Sequence, residues 1–229
     1  MRWFGLLSCV SALLAALTSC AQEPPPPPDW EPKTEASTWD FESDTPGALP
    51  AGWRLGTTNP GDGEAEWAVV ESTDPNAPGK AFAVTSSTNT GQAYNVAVAE
   101  DSVYDHVDLS VRVRADAGEE DQGGGPIWRC IDPNNYYICR FNPLEENFRV
   151  YKVINGKRTQ LESTPEFTGA GEWVTIRVRM VGDAIECYID GVLALEATDE
   201  TLPGPGKIGL WTKADAATSF DDLTAAPAQ

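Results

Sequence analysis

The stretch Trp173-Val174-Thr175-Ile176-Arg177-Val178-Arg179-Met180-Val181-Gly182-Asp183-Ala184-Ile185-Glu186-Cys187-Tyr188-Ile189-Asp190-Gly191 decides the fold. Val174, Ile176, Val178 and Met180 alternate with Thr175, Arg177 and Arg179, the period of a strand with one buried and one wetted face. Gly182-Asp183 interrupts the run, and the alternation resumes through Ile185, Cys187 and Ile189 until Asp190-Gly191. Asn, Asp and Gly accept the positive φ that tight hairpin turns require. Strand, turn, strand and turn in immediate succession describe an antiparallel meander.

The same grammar extends in both directions. Val111-Arg112-Val113-Arg114 alternates cleanly, and Asn155-Gly156 marks another hairpin turn. Further strands are expected at Gly125–Ile131, Tyr136–Asn142, Asn147–Ile154, Lys157–Leu161 and Gly206–Trp211, within a series from Trp67–Glu71 to Ser219–Thr224. Helical periodicity is nearly absent. Such a string of short strands predicts an all-β fold of two packed antiparallel sheets. The glycines and tryptophans keep no fixed period, which disfavours a propeller or a solenoid.

The first residues stand apart. Arg2 precedes an apolar run from Trp3 to Leu17, the pattern of a secretion signal. The run is short for a permanent membrane helix, and no second long apolar run follows. Leu17-Thr18-Ser19-Cys20 resembles a bacterial lipobox. That resemblance implies removal of residues 1–19 and a lipid on Cys20, with ordinary cleavage near Cys20 as the alternative. Each buried lipid methylene contributes about 0.8 kcal/mol, so such an anchor holds a chain at a membrane without spanning it. Ala21-Gln22 lacks an acidic retention signal, which points to the outer membrane or the cell surface. Residues 20–37, with Pro24 to Pro28 in an unbroken row, read as an extended tether, leaving residues 38–227 as one domain.

The chain carries 35 acidic against 16 basic residues, a net charge of −19. A phosphate backbone would be repelled, and no basic stripe offsets this, so nucleic acid is excluded as a partner. Eight tryptophans and six tyrosines suit either cores or sugar-stacking surfaces. Of five cysteines, Cys130, Cys139 and Cys187 belong to the domain. The compartment permits disulfides, and a Cys130–Cys139 bridge across the hairpin is one arrangement; three buried thiols are the other. His106 is the lone histidine, so neither a Cys-His pair nor a histidine metal site is expected.

Several motifs carry a family likeness. Phe41-Glu42, Pro50-Ala51-Gly52-Trp53, Gly125-Pro126-Ile127-Trp128-Arg129, Asn135-Tyr136-Tyr137, Arg140-Phe141-Asn142, Gly171-Glu172-Trp173 and Gly209-Leu210-Trp211-Thr212-Lys213-Ala214-Asp215 occur in order, with Phe220-Asp221-Asp222-Leu223 at the end. They resemble concanavalin A-like, laminin-G-like jelly rolls, and most nearly the bacterial domains related to 3-keto-disaccharide hydrolases. The resemblance implies a jelly-roll sandwich and a glycan partner. It does not choose between lectin, hydrolase and adhesion domain. The Glu-x-Asp-x-x-Glu strand of jelly-roll endoglucanases is missing, which lowers the expectation of a retaining glycosidase.

Three sets of residues are candidates for chemistry. A turn centred at Asn134-Asn135 would pair positions summing to about 269 and set Arg129 beside Arg140. With Tyr136, Asn142, Glu145 and Asn147, the two arginines would line a groove that binds sugar hydroxyls or an acidic sugar, and Tyr151 is a further ligand-binding candidate. An ion-pair network with Asp132, Glu145 and Glu146 is the alternative. Tyr136 and Tyr137 must face opposite ways, one in the core and one exposed, and Arg158 has Glu162 or Glu146 as expected partners. Trp211, Lys213 and Asp215 share a face if extended, and would offer an indole and two polar groups to a sugar; Trp211 capping the core beside an ordinary Lys213–Asp215 salt bridge is the alternative. Glu145, Glu146 and Asp215 are the candidate catalytic carboxylates. In the third set, Asp40, Glu42 and Asp222 meet if the first and last strands lie side by side, and related modules hold a structural calcium there. Calcium takes about six to eight oxygens; no organic cofactor is expected. The leading expectation is a surface-anchored carbohydrate-recognition domain, followed by a glycan-processing hydrolase and then an adhesion domain with a surface protein partner.

Overall fold

The computed structural model describes residues 23–72, 74 and 78–229. The signal at 1–19 and the lipidation site Cys20 lie outside them. Fifteen strands follow in chain order: β1 (Ser37–Trp39), β2 (Trp53–Thr58), β3 (Ala65–Glu71), β4 (Lys80–Ser87), β5 (Tyr94–Ala99), β6 (Val107–Ala117), β7 (Gly124–Asp132), β8 (Asn135–Asn142), β9 (Asn147–Ile154), β10 (Lys157–Pro165), β11 (Trp173–Val181), β12 (Ala184–Ile189), β13 (Val192–Thr198), β14 (Lys207–Lys213) and β15 (Ala217–Pro227). They form two antiparallel sheets. Sheet A runs β13-β12-β11-β6-β15-β4-β3 with β1 on β15; sheet B runs β10-β9-β8-β7-β14-β5-β2. This is an open jelly-roll sandwich of the concanavalin A-like kind.

Alternation explains sheet A directly. Val174, Ile176, Val178 and Met180 of β11 are buried beside Leu109, Val111 and Val113 of β6. The polar positions between them face water and form a ladder of ion pairs. Arg177 meets Asp108 at 2.5 Å, Arg112 lies 3.3 Å from Asp222, and the Arg112 and Arg114 guanidiniums sit 4.6 and 5.1 Å from the Trp173 ring. The first and last strands do lie together, with Ser37 opposite Ala225 and Trp39 opposite Leu223. An aromatic group closes this end of the core: Phe82 packs on Phe41, Trp53 and Trp67 at centroid distances of 5.6, 5.2 and 5.1 Å.

Strands β1 and β2 were not expected from the sequence. In β2 the run Trp53-Arg54-Leu55-Gly56-Thr57-Thr58 carries only two large apolar residues, and pairing with β5 rather than local pattern makes it a strand. The residues after Pro28 lie on the domain rather than away from it: the Lys33 backbone N–H donates to Val103 O at 2.8 Å, and its ammonium reaches Asp101.

Sheet B has two buried faces. Trp128, Tyr137, Cys139, Phe141, Phe148 and Val150 join the inter-sheet core. The opposite face holds a second apolar cluster that includes Tyr94, Val96, Ile127, Tyr136, Ile138, Tyr151 and Trp211. Tyr136 and Tyr137 thus face opposite ways, as their adjacency demands, but neither is exposed as expected, because the second cluster buries Tyr136 as fully as the core buries Tyr137. Cys130 belongs to the second cluster and Cys139 to the first, so the hairpin bridge does not form; Cys130, Cys139 and Cys187 are buried free thiols. Burial pushes the Cys130 thiol up to about 12, which suppresses its reactivity.

Curling makes the second cluster possible. The Asn59 side-chain amide, just after edge strand β2, donates to Gly156 O at 2.7 Å in the β9–β10 turn beside the opposite edge. Gly156 N donates to Asn134 O at 3.0 Å in the β7–β8 turn. Thr58 Oγ1 lies 2.7 Å from Tyr136 Oη and also donates to Pro133 O. The bend needs bare backbone in the middle of the sheet: a Cβ on Gly124 would lie 2.2 Å from Trp211 O, and one on Gly125 would lie 1.9 Å from Cys139 O.

Replacing Phe82 with Ala removes the ring shared by three aromatic neighbours. Denaturant unfolding should show a loss of about 3–5 kcal/mol; a loss below about 1 kcal/mol would mean that this end of the core carries little of the stability.

Candidate functional site on the curled face of sheet B

The strand alternation that fills the curled face also projects polar residues along it. Arg140 and Asn142 extend from β8, Asn147, Arg149 and Tyr151 from β9, Trp211 and Lys213 from β14, and Arg158 from β10. The sequence grouping of Tyr136, Arg140, Asn142, Asn147, Tyr151, Trp211 and Lys213 is therefore brought together on one face.

Asp121 organises the charges, and it was not among the sequence candidates. It is 1% exposed. Lys213 Nζ donates to its Oδ2 at 2.7 Å, Asn142 Nδ2 to its Oδ1 at 2.7 Å, and Arg140 Nη1 to Oδ1 at 3.3 Å. Arg140, itself 1% exposed, turns its other nitrogen to Glu145 Oε2 at 2.7 Å and Asn147 Oδ1 at 2.9 Å. Arg149 reaches the same Glu145 oxygen at 2.9 Å. A buried carboxylate and guanidinium persist only when paired in this way, because removing one member strands the other away from water.

Glu145 is the accessible end of this chain, with 41% of its side chain exposed. Burial favours its neutral form, but the Arg140 charge, the Asn147 amide and Arg149 outweigh that and hold its carboxyl down at about 2. Glu146, beside it, is exposed in the turn with φ of 50°. Asp215 lies past the end of β14, where Ala214 turns the chain at φ of 49°, so it leaves the face shared by Trp211 and Lys213. Its carboxylate accepts the backbone N–H groups of Glu119, Glu120 and Asp121 at 2.7, 3.1 and 3.0 Å. Despite its burial, those donors lower its pKa. Asp215 thus holds the loop that carries Asp121.

Arg129 is not in this group. β7 and β8 pair Ile127 with Ile138 and Gly124 with Phe141, which sets Arg140 across from Gly125 rather than Arg129. The turn lies one residue earlier than expected, with Asp132 opposite Asn135, and a register shift after Trp128 adds the rest of the difference; Arg129 itself has φ of 45°. Its guanidinium instead donates to Leu202 O and Gly182 O at 2.9 and 2.8 Å, tying β7 to the β11–β12 turn of sheet A.

Arg158 also departs from expectation. Rather than pairing with Glu162 or Glu146, it lies over three rings of the curled face. Its Cζ is 4.5 Å from the Tyr151 centroid, 5.1 Å from Tyr94 and 5.6 Å from Trp211. Trp211 Nε1 donates to Tyr136 Oη at 3.0 Å beneath it.

The three calcium candidates are each engaged within the fold. Asp40 caps Glu42 N at 3.2 Å, Glu42 Oε1 accepts Lys80 N at 2.8 Å, and Asp222 faces Arg112. No group of three or more His, Cys, Asp or Glu side chains among the described residues converges as metal ligands would. Nor is any described helix long and apolar enough to cross a membrane.

The architecture defines a jelly roll whose inner sheet holds a charged, aromatic-lined face. Residues 41–225 match the family of 3-keto-alpha-glucoside-1,2-lyase-like domains, and the chain belongs to that family. No curated protein matches the chain. Among solved structures, carbohydrate-binding module CBM66 from Bacillus subtilis is similar at TM-score 0.60 and 18% identity, over 76% of this chain and 95% of that one. A Bacillus licheniformis β-glucanase is similar at TM-score 0.57 and 12% identity, over 85% and 99% of the respective chains. The Crh5 transglycosylase is similar at TM-score 0.54 and 14% identity, over 85% of each chain. At these identities the likeness concerns the fold.

The depressed Glu145 pKa fixes a pH signature. A carboxyl held low in the fold adds stability above its unfolded value of about 4.5 and loses it as pH falls toward about 2. Glu145→Gln should therefore cost about 1 kcal/mol at pH 7, allowing for solvent screening at this half-open position. The gap from wild type should close on acidification. Urea titrations at pH 7 and pH 3 measure it, and a gap unchanged at low pH would mean that charge is not its source.

Proposed function

We propose that the charged end of the curled face is a carbohydrate site, and that its chemistry is elimination on an oxidised glycoside rather than hydrolysis by paired carboxylates. The observation that carries this is the arrangement of Lys213 and Glu145 around the Asp121–Arg140 pair, in a chain belonging to a lyase-like family. A 1,2-elimination removes the proton at C2, which a neighbouring ketone acidifies. The C1–O bond breaks as the C1–C2 double bond forms, negative charge passes through the ketone oxygen, the leaving oxygen takes a proton from water, and the hydroxide so formed takes the proton from the base and restores it. This needs one base and one cationic donor. Lys213 spends one of its three N–H donors on Asp121, which leaves donors for a sugar carbonyl. Glu145, ionised at neutral pH, is the exposed carboxylate available to take the proton.

The paired-carboxylate route lacks its acid. Glu145 is far below the range of a group that holds a proton at neutral pH, and the Asp215 carboxylate is engaged by three backbone N–H groups. Recognition without turnover is the second reading, and the same low pKa favours it, because it makes Glu145 a weak base. In either case we place the domain outside the cytoplasm on a lipid-modified Cys20, a reading supported by the lipobox-like Leu17-Thr18-Ser19-Cys20.

The full-length protein incubated with a 3-keto glucoside should release the aglycone and an unsaturated keto sugar, followed by NMR, and leave the unoxidised glucoside intact. Lys213→Gln and Glu145→Gln should each lower turnover by about a hundredfold or more. Binding without product would select recognition alone; hydrolysis of the unoxidised glycoside would overturn the elimination chemistry.

A further inference from the structure

Arg158 is exceptional among the described arginines. Arg54, Arg112, Arg114, Arg140, Arg149, Arg177 and Arg179 each reach a carboxylate, and Arg129 donates to the Leu202 and Gly182 carbonyls. Arg158 is held by ring faces, and its Nη1 is buried without a hydrogen-bond partner. Ring faces attract a cation but accept no N–H in the plane of the guanidinium fork. The Nε atoms of Arg129 and Arg140 are also buried without a partner, but those two guanidiniums bond elsewhere, whereas Arg158 makes no side-chain hydrogen bond or ion pair with any described residue. The surroundings sharpen the point. This end of sheet B gathers Arg140, Arg149, Arg158 and Lys213 against the carboxylates of Asp121 and Glu145, in a chain whose net charge is −19. Both carboxylates are already bound to the other three cations, so the positive charge of Arg158 is left over.

We propose that Arg158 is the anchor for a carboxylate-bearing sugar, a uronate residue, bound beside the Lys213–Asp121 pair. A carboxylate matches the planar fork in a two-point contact and gives the Arg158 guanidinium the ion-pair partner that it lacks within the fold. Tyr94 and Tyr151 fix the guanidinium plane before the ligand arrives, so little freedom is lost on binding. The acidic remainder of the surface repels polyanions in general, which confines an acidic glycan to this face. This inference rests on the carbohydrate reading above and adds to it the charge of the substrate.

The test is calorimetry on the full-length protein with oligogalacturonate and oligoglucuronate, each compared with its fully methyl-esterified form. The acids should bind at least about tenfold more tightly than the esters, and Arg158→Gln should abolish the difference. Arg158→Lys, which keeps the cation and loses the fork, should retain only part of it. If Arg158→Gln fails to fold, salt decides on the wild type: affinity for the acids should fall with added KCl while that for the esters stays level. Esters binding as tightly as acids, or a preference that survives Arg158→Gln, would overturn the anchor. Binding or turnover confined to neutral or keto sugars would also overturn it while leaving the carbohydrate site standing. Failure to bind any sugar would remove both.

Discussion

Bending of sheet B is the constraint on which the rest depends. A flat sheet would leave Tyr94, Ile138, Tyr151 and Trp211 as an apolar patch, and a guanidinium cannot lie over rings from β5, β9 and β14 unless those strands are brought around it. The contacts of Asn59, Gly156, Asn134 and Thr58 join the two edges of the sheet. They are few and polar. What stabilises the bend is the apolar area enclosed, at about 25 cal/mol for each square ångström removed from water, while the polar contacts select which edges meet. The glycines at the start of β7 make the bend sterically permissible. The same protein thus has two cores separated by one sheet, and the chemistry sits where the second one opens.

The second dependence is electrostatic. Asp121 comes from a loop rather than a strand, so nothing in the sheet hydrogen bonding fixes it. Asp215 does so by gathering three consecutive backbone N–H groups of that loop. Once placed, Asp121 holds Lys213 and Arg140, Arg140 holds Glu145 and Asn147, and Glu145 holds Arg149. Asp121 and Arg140 are desolvated and tolerable because each is paired, while Glu145 and Arg149 carry the chain of charges out to water. A residue that reads from sequence as a possible acid therefore works at one remove, through the backbone of another segment.

The sequence displays the fold far more openly than the site, and the reasons are specific. Val174 to Met180 has to bury one face, and any register that does so gives the same strand, so β11 and β12 are legible from alternation alone. β2 is not, because its partner β5 supplies the order its own residues lack. The curled face carries the same alternation as the core face, so Trp211 with Lys213 and Arg149 with Tyr151 could be placed on shared strand faces, but the meeting of those strands could not be read from their pattern. Arg129 could not be placed correctly, since a register shift at a residue with positive φ leaves no mark on periodicity. Asp121 and the position of Arg158 depend on contacts between distant segments. The one local trace of Asp121 is its seat before Gly123-Gly124-Gly125, where backbones approach too closely for side chains.

Placing a site this way also separates what the family shares from what one chain has chosen. A jelly roll needs alternation, hairpins and a filled interior, and those are satisfied equally by binding modules and by enzymes. The curled face adds a demand that the fold does not make. Arg158 holds its charge over three ring faces and makes no side-chain hydrogen bond or ion pair with any described residue. The rings attract the cation, but they give the in-plane donors of its fork no acceptor. Retaining a guanidinium there makes physical sense when an acceptor arrives from outside the chain, and the carboxylate pairs that fill the rest of the cluster describe what kind of acceptor fits.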